Sequence, residues 1–259
     1  MTRMRVMAGA AVVMLATLPV MAQSAPPPCE AWAGMLLLSP SVIRDLPYSA
    51  TYKLTTDQTL ADGTKIHRES TSRAARDMDG RSLTQIIIFC SPGRRGQSDP
   101  HPIYQNNVVD PQVGEFRNWQ SGIVDGDSMS RTVDIRELPA KYKAEDSAEM
   151  RSRLDGVEKF PDTARMKKLG HQTIAGLDAI GELRTSITPA GSMGNDRPIV
   201  RTKEIWTSTE LGIVVREIDN DPSAGRSSLE LQDISQAQPD EALFAAPADY
   251  PVKRAGNGQ

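Results

Sequence analysis

Apolar and polar residues alternate over the middle and the end of the chain. The clearest early case is a set of four apolar residues of one parity that alternate with Ser, Thr and Lys: Tyr48, Ala50, Tyr52 and Leu54. A period of two places every second side chain on the same face of a β-strand. The turn residues Asp62 and Gly63 follow, and then a polar stretch rich in Thr and Ser over 65–76. The pattern therefore predicts a hairpin with one buried face.

Short strand-like segments continue beyond this hairpin and are separated by turn residues. They lie at 86–89, 103–109, 115–119, 129–135, 199–207, 212–219 and 227–234. Another alternating segment has four apolar residues on one parity: Leu177, Ala179, Leu183 and Ile187. Neighbouring strands that are joined by short turns pair in antiparallel fashion. The sequence therefore predicts a mainly β protein built on an antiparallel meander.

Two segments depart from the strand pattern. Residues 139–162 are charged and poor in β-branched residues, which predicts an insertion or an inter-lobe linker with an exposed helix over 145–154. Residues 240–244 have room for a single helical turn. We therefore expect one or two short helices beside the sheet.

The N-terminus has the features of a secretory signal peptide. Arg3 and Arg5 precede an apolar run without ionisable side chains, and the run ends with Pro19 and then Ala22. The run is shorter than the roughly 20 residues that a transmembrane helix needs. We predict cleavage after Ala22, so that residues 1–22 are the signal and 23–28 a disordered linker. An uncleaved anchor and a lipoprotein are the alternatives, and Cys29 does not follow the small-residue box that a lipoprotein needs.

Export implies a location in the periplasm or outside the cell. The whole chain has a formal net charge of −3, and loss of Arg3 and Arg5 with the signal makes the remainder more acidic by two charges. An acidic chain lacks the basic field on which nucleic-acid binding depends. No second apolar run is long enough to span a bilayer. We therefore expect no nucleic-acid partner and no membrane span in the mature chain.

The chain has two cysteines, Cys29 and Cys90. In an oxidising compartment a disulfide between them is the economical interpretation, and two free buried thiols are the alternative. Closing a loop of this length would stabilise the fold by roughly 4 kcal/mol in the chain-entropy model. We predict the bridge.

Candidate catalytic and metal-binding residues are few. The three histidines, His67, His101 and His171, are far apart, and none has a second ligand at metal-binding spacing on the same element. The chain has no nucleophile elbow, phosphate loop, dinucleotide fingerprint or redox Cys-x-x-Cys motif. We therefore assign no catalytic residue, no cofactor and no metal site.

Three acidic turns place carboxylates two residues apart, as calcium loops do. They are at 77–80, 125–127 and 219–221. None adds the third oxygen ligand and the bidentate Glu that a calcium loop requires. Asp, Asn and Gly also favour hairpin turns for reasons of backbone conformation alone. We interpret all three as turns.

Several short segments have a recognisable order along the chain. They are 62–64, 76–81 and 109–114 in the N-terminal half and 169–179, 187–191, 194–198, 204–208, 239–244 and 247–250 in the C-terminal part. In these segments the chain resembles a family of uncharacterised exported bacterial proteins. These segments are distributed over most of the mature chain. The motifs are specific to the family and imply no known chemistry.

Three further features are a strand with the pattern Gly170-x-x-x-x-Ala175-Gly176, a later strand that bears Trp206, and a terminal Leu243-Phe244 followed by Pro247. In these features the chain is, more remotely, similar to the periplasmic lipoprotein-carrier (LolA-like) half-barrels. The resemblance implies a curved, half-barrel-like sheet that leaves an apolar concavity for acyl chains.

These observations lead to one leading hypothesis and two alternatives. We expect a single β-rich domain over 29–250, with the insertion near 139–162 and a flexible tail over 251–259. The leading hypothesis is a non-enzymatic binding or envelope-associated module whose partner is an apolar ligand or an envelope protein. The alternatives are an exported hydrolase with a scattered active site and a structural component of an envelope complex.

Overall fold

The computed structural model describes residues 42–91, 101–122, 130–139, 145–159 and 165–255. The predicted signal peptide, the linker and Cys29 lie outside these residues. Within them, the chain forms one curved sheet of 12 strands, one α-helix and one short 3-10 helix. The predicted mainly β class is thus confirmed.

The strands follow one another along the chain with one helix between the sixth and the seventh. They are β1 Tyr48–Thr59, β2 Lys65–Arg76, β3 Ser82–Ser91, β4 His101–Asp110, β5 Glu115–Ser121, β6 Val133–Glu137, β7 Met166–Ile174, β8 Leu177–Thr188, β9 Ile199–Ser208, β10 Val214–Asp221, β11 Gly225–Ser235 and β12 Val252–Arg254. The helix α1 spans Ser147–Lys159, and the 3-10 helix spans Glu241–Phe244.

The order of strands in the sheet is β12, β6, β5, β4, β3, β2, β1, β11, β10, β9, β8 and β7. Two meanders, β1 to β6 and β7 to β11, therefore join where β1 pairs with β11. All pairs between named strands are antiparallel except that of β12 with β6, which is parallel.

The C-terminal strand β12 differs from the expected flexible tail. Val252 to Arg254 pair with Val133 to Ile135, and the Arg254 Nη1 donates to Glu115 Oε1 at 2.7 Å. Arg254 also lowers the pKa of Glu115 through this hydrogen bond. The tail is ordered over these residues because it satisfies the outer edge of β6.

The helix α1 lies within the segment that is predicted to be an insertion. Asp146 caps it, because its Oδ1 accepts from the N–H groups of Ala148 and Glu149, and Glu149 accepts in return from the Asp146 N–H. The predicted exposed helix is corrected in one respect. Met150 and Leu154 lie four residues apart on one face and are buried.

Two large apolar clusters lie against the sheet, in addition to the small one that joins α1 with Ile180 of β8. The larger one joins β1 and β2 with β7 to β11, and its members include Tyr52, Trp206 and Leu231. The smaller one joins β2 to β6 with the 3-10 helix, and its members include Trp119 and Phe244. Among the described residues, no helix combines the length and apolar character that crossing a bilayer requires.

Arg76 is fully buried and lies beside the larger cluster. Its Nε donates to the Leu46 carbonyl and its Nη2 to the Leu211 carbonyl, each at 2.9 Å. The guanidinium also lies 5.0 Å from the centre of the Tyr48 ring. Burial lowers the pKa of Arg76 and raises the pKa of Tyr48. Arg76 thus joins β2, the chain before β1 and the β9–β10 turn.

Candidate functional site

The three histidines lie on three different strands. His67 is on β2, His101 begins β4, and His171 is on the edge strand β7. None of the three lines either of the two grooves described below. Within the described residues, no group of three or more His, Cys, Asp and Glu side chains is placed to hold a metal ion.

His67 lies in an exposed cluster of charged side chains on the β1–β2 hairpin. Its Nδ1 is 2.7 Å from Asp57 Oδ1, and its Nε2 is 3.3 Å from Glu69 Oε1. The hydrogen bond with Asp57, and next that with Glu69, raises the pKa of His67. Lys53 in turn lowers the pKa of Glu69 through a hydrogen bond. The exposed cluster has the character of a surface ion-pair network.

The turn that begins at Asp77 uses its carboxylate internally. Asp77 Oδ1 accepts from the N–H groups of Asp79 and Arg81, and Oδ2 accepts from Arg81 Nε at 2.9 Å. The carboxylate is buried and holds the turn closed. The interpretation as a turn accounts for its conformation.

The prediction of an acidic turn at 219–221 is wrong in position, because these residues form the end of β10 and the turn follows at 222–224. Asp219 binds the Arg201 guanidinium with both oxygens, and this pairing lowers the pKa of Asp219. Asp221 accepts from the Ser223 N–H at 2.8 Å. The turn at 125–127 lies outside the described residues.

Only one of the two predicted disulfide partners lies within the described residues. Cys90 is on β3, and Cys29 lies outside the described residues. The bridge therefore stays a prediction.

A groove of about 610 Å³ lies on one face of the sheet, across β11, β1, β2, β3, β4 and β5. One row of its lining follows the strand register, because each residue pairs directly with the next: Asp233, Thr51, Arg73, Gln85, Asn106 and Trp119. Residues paired across antiparallel strands project on the same face of a sheet. The row therefore changes from charged at β11 to apolar at β5.

A second row lies two residues away from the first row on each strand, and its side chains are mostly small or apolar. It contains Ser235, Ser49, Ala75 and Leu83. The wall opposite is formed by the segment 242–247, which contributes Ala242, Leu243, Ala245 and Pro247.

The 3-10 helix positions this wall. Its N-cap Asp240 accepts from the Ala242 N–H at 2.9 Å. Phe244 is buried in the smaller cluster, and the Arg81 guanidinium lies 4.6 Å from the centre of its ring. Leu243, the preceding residue, lines the groove and is 44% exposed. The buried Phe244 thus anchors a segment that presents an apolar side chain to the groove.

Three neutral polar side chains in the groove form a hydrogen-bonded row. Gln85 Nε2 donates to Asn106 Oδ1 at 2.8 Å, and Asn106 Nδ2 donates to Ser121 Oγ at 2.8 Å. Asn106 Nδ2 also donates to the Trp119 carbonyl at 3.3 Å. Asn106 is buried, whereas Gln85 and Ser121 are half-buried. We call Gln85, Asn106 and Ser121 the amide row.

The amide row was not among the residues predicted from the sequence. A signal was present, because residues 105–107 are three carboxamide residues inside an otherwise apolar strand segment. Asn is disfavoured in strands, so its presence there points to a specific polar contact. Only the register of β3, β4 and β5 shows which of the three carboxamides faces the groove.

A second groove of about 420 Å³ lies between α1 and the strands β7 to β9. Basic side chains that line it include Arg153 and Arg184. Arg153 pairs with Glu145 at 3.1 Å, and Arg184 pairs with Glu182 on its own strand. The charges of this groove are thus partly neutralised, and the larger groove is the stronger candidate for a binding site.

No protein-family model matches the chain, and no curated protein sequence matches it. Among solved structures, the chain is similar to an uncharacterized conserved protein from Thermus thermophilus, with 13% identity over 82% of this chain and 91% of that chain and a TM-score of 0.40. It is also similar to a chain of the Pseudomonas aeruginosa MucA/MucB complex, with 11% identity over 79% of this chain and 57% of that chain and a TM-score of 0.37.

A third similar structure is the LolA superfamily protein NE2245 from Nitrosomonas europaea, with 12% identity over 78% of this chain and 90% of that chain and a TM-score of 0.24. A LolA-superfamily protein, the group that the sequence remotely resembles, is thus among the similar structures. These likenesses are loose and concern the fold alone.

Proposed function

We propose that the chain is an exported, non-enzymatic binding module that holds the apolar part of a lipidic or other apolar ligand in the larger groove. The observation that carries this proposal is the groove itself, which has a volume of about 610 Å³. Ligand pockets of drug-sized molecules span about 300–1,000 Å³ and are lined mainly by apolar side chains. The features of 1–22 that are typical of a signal peptide support action in the periplasm or outside the cell.

The apolar lining supports a hydrocarbon rather than a hydrophilic ligand. Leu83, Trp119, Ile234 and Leu243 all line the groove, together with five alanines. Burying a Leu-sized apolar group contributes about 1.5–3 kcal/mol. Leu243 is exposed to water because its side chain projects from the wall into the groove. An apolar chain in the groove would remove this side chain from water.

The hydrolase alternative receives less support from the described residues. The three histidines lie away from the groove, and the two charged side chains that line it, Arg73 and Asp233, are separated by Thr51 in the register. General acid–base catalysis requires a group within hydrogen-bond reach of the reacting atoms.

Binding of the uncharged dye Nile red to the delipidated protein tests the proposal. We expect saturable binding with increased fluorescence. Leu243→Asp places a charge on the apolar wall and should weaken the binding about tenfold or more. Ala242→Trp should also weaken it, because Ala242 is exposed and a larger side chain there occupies the groove.

Leu60→Asp is the matched control for Leu243→Asp. Leu60 is 40% exposed, close to the 44% of Leu243, but it lies in the β1–β2 turn away from the groove. Melting temperatures of all variants check the fold. The proposal fails if the protein takes up no dye, or if Leu60→Asp weakens binding as much as Leu243→Asp.

A further inference from the structure

The amide row is costly to bury in a purely apolar groove. Asn106 is only 3% exposed, and its carboxamide is held by Gln85, by Ser121 and by the Trp119 carbonyl. A buried carboxamide requires hydrogen-bond partners, and replacing both partners of a buried hydrogen bond by apolar groups of the same shape can be nearly neutral for stability. The row therefore points to a role besides stability.

The direction of the hydrogen bonds leaves one acceptor at one end of the row and one donor at the other. Gln85 donates to Asn106, so its Oε1 remains an acceptor, and Ser121 accepts from Asn106, so its hydroxyl hydrogen remains a donor. Among the described residues, neither of these two end groups has a further hydrogen-bond partner. Both residues line the groove. A plain hydrocarbon over the row would take water from these groups without replacing its hydrogen bonds.

The two charges that line the groove sum to zero. Arg73 and Asp233 are the two ionisable side chains among the lining residues, and their charges cancel. Arg73 pairs with Gln85 in the register, whereas Asp233 lies two strands away from Arg73. An ionic group seated on the amide row would lose its hydration and meet neutral carboxamides, which is unfavourable. Arg73 beside Gln85 is exposed to water, and solvent screening limits what its charge contributes to binding an anion.

We propose that the amide row selects ligands whose polar group is uncharged and hydrogen-bonding, of the carboxamide class, and attached to an apolar chain. This inference rests on the function proposed above and deepens it. The polar group contacts Gln85 or Ser121, and the chain lies against Leu83, Trp119 and Leu243. Asn106 is a positioning residue, because it fixes the direction of the hydrogen bonds of its two neighbours.

Three amphiphiles with the same 12-carbon chain test the proposal by displacement of Nile red below their micelle concentrations. They are N-dodecylacetamide, dodecanoate and dodecyltrimethylammonium. We expect the amide to bind about fivefold more tightly than either ion, which is the effect of one additional hydrogen bond. Ser121→Ala removes a donor and should reduce this advantage.

Gln85→Glu introduces a charge with little change of shape. A carboxylate cannot donate to Asn106 Oδ1, so either the new side chain or the Asn106 carboxamide must reorient, and a reoriented Asn106 gives up its hydrogen bond to the Trp119 carbonyl. We expect the ratio of the affinities for the ammonium and carboxylate amphiphiles to increase about tenfold. The melting temperature verifies that the variant folds.

Gln120→Glu is the matched control, because Gln120 follows Trp119 on β5 and projects on the opposite face. Its Oε1 accepts from the Ser130 N–H at 3.1 Å, which a carboxylate also does. The ratio should stay unchanged in this variant. Equal changes of this affinity ratio in both variants would overturn the proposed selectivity of the amide row. An ion that binds the unaltered protein as tightly as the amide would overturn it too. Absence of binding by Nile red and all three amphiphiles would overturn the proposed function as well.

Discussion

Trp206 and Trp119 belong to the two different clusters of the sheet, and their surroundings differ. The Trp206 ring lies against Gly181, so closely that a Cβ there would be 2.7 Å from ring atoms, and its Nε1 donates to Glu204 at 2.6 Å. Trp119 is also buried, but it borders a groove of about 610 Å³. Trp206 is thus packed tightly inside the larger cluster, whereas Trp119 belongs to the smaller cluster and lines the groove.

The reason for the difference lies in what covers each cluster. Leu211 and Ile213 of the β9–β10 turn pack into the larger cluster, and Arg76 binds the Leu211 carbonyl from β2. The smaller cluster is covered by the short 3-10 helix through Phe244. We infer that the larger cluster contributes most of the stability and that the smaller one leaves space for a ligand. Three predictions test this comparison, and a fourth concerns the exposed surface outside both clusters.

Loss of Arg76 should have the largest effect on stability. Arg76→Ala leaves a cavity and removes the donors to the Leu46 and Leu211 carbonyls. We expect the free energy of unfolding, measured with urea, to fall by about 4 kcal/mol. Arg68→Ala, an exposed arginine on the same strand, should change it by less than about 0.5 kcal/mol. Similar values for both variants would contradict the role of Arg76.

Two glycine substitutions should have opposite effects. Gly181→Ala forces a Cβ against the rigid Trp206 ring and should destabilise the protein by about 2 kcal/mol. Gly156→Ala in α1 meets no atom within 4 Å and should stabilise by about 0.7 kcal/mol, because Ala favours the helix. Thermal unfolding of both variants measures the difference. A stable Gly181→Ala protein would show that the larger cluster has room that we do not assign to it.

Conservative replacement of each tryptophan should separate the two clusters. Trp206→Phe leaves Glu204 without its donor and should cost about 2 kcal/mol. Trp119→Phe removes apolar area at the groove and should cost about 1 kcal/mol. Dye binding should show the opposite order, because Trp119→Phe should weaken it more than Trp206→Phe. If Trp206→Phe weakens binding more, the ligand lies elsewhere.

The smallest effect should come from the exposed His67 cluster, outside both cores. Asp57 and Glu69 raise the pKa of His67 above its ordinary value of 6.5. The protonated imidazole therefore stabilises the hairpin fully below pH 6.5, and this contribution is lost as the pH rises through the pKa of the folded state. An NMR titration should show the raised pKa, and Asp57→Asn should lower it. A titration midpoint at or below 6.5 would contradict the contact.

The sequence predicted most of the sheet because strand alternation and turn residues are local signals. The predicted bounds of β2, 65–76, agree with the structure, and Tyr48, Ala50 and Tyr52 are all buried on β1. The alternation of apolar and polar residues predicts burial less well on β8. Leu177 and Ala179 are buried as predicted, but Ile187 is 55% exposed because the strand extends beyond the cluster.

Contacts between distant segments account for what the sequence did not predict. Ile180 is buried against α1 on the opposite face of β8, and nothing local indicates that a helix covers that face. The three residues of β12 have no alternating pattern, and they form a strand only because β6 offers an unpaired edge.

By itself, the amino-acid sequence determined the β class, the positions of most strands, and the features that are typical of export, since these depend on side-chain periodicity and local composition. The tertiary structure decided the groove, the burial of Arg76 and the alignment of the amide row. Each of these joins residues from separate strands, such as Gln85 and Asn106, and only the pairing register determines which residues become neighbours.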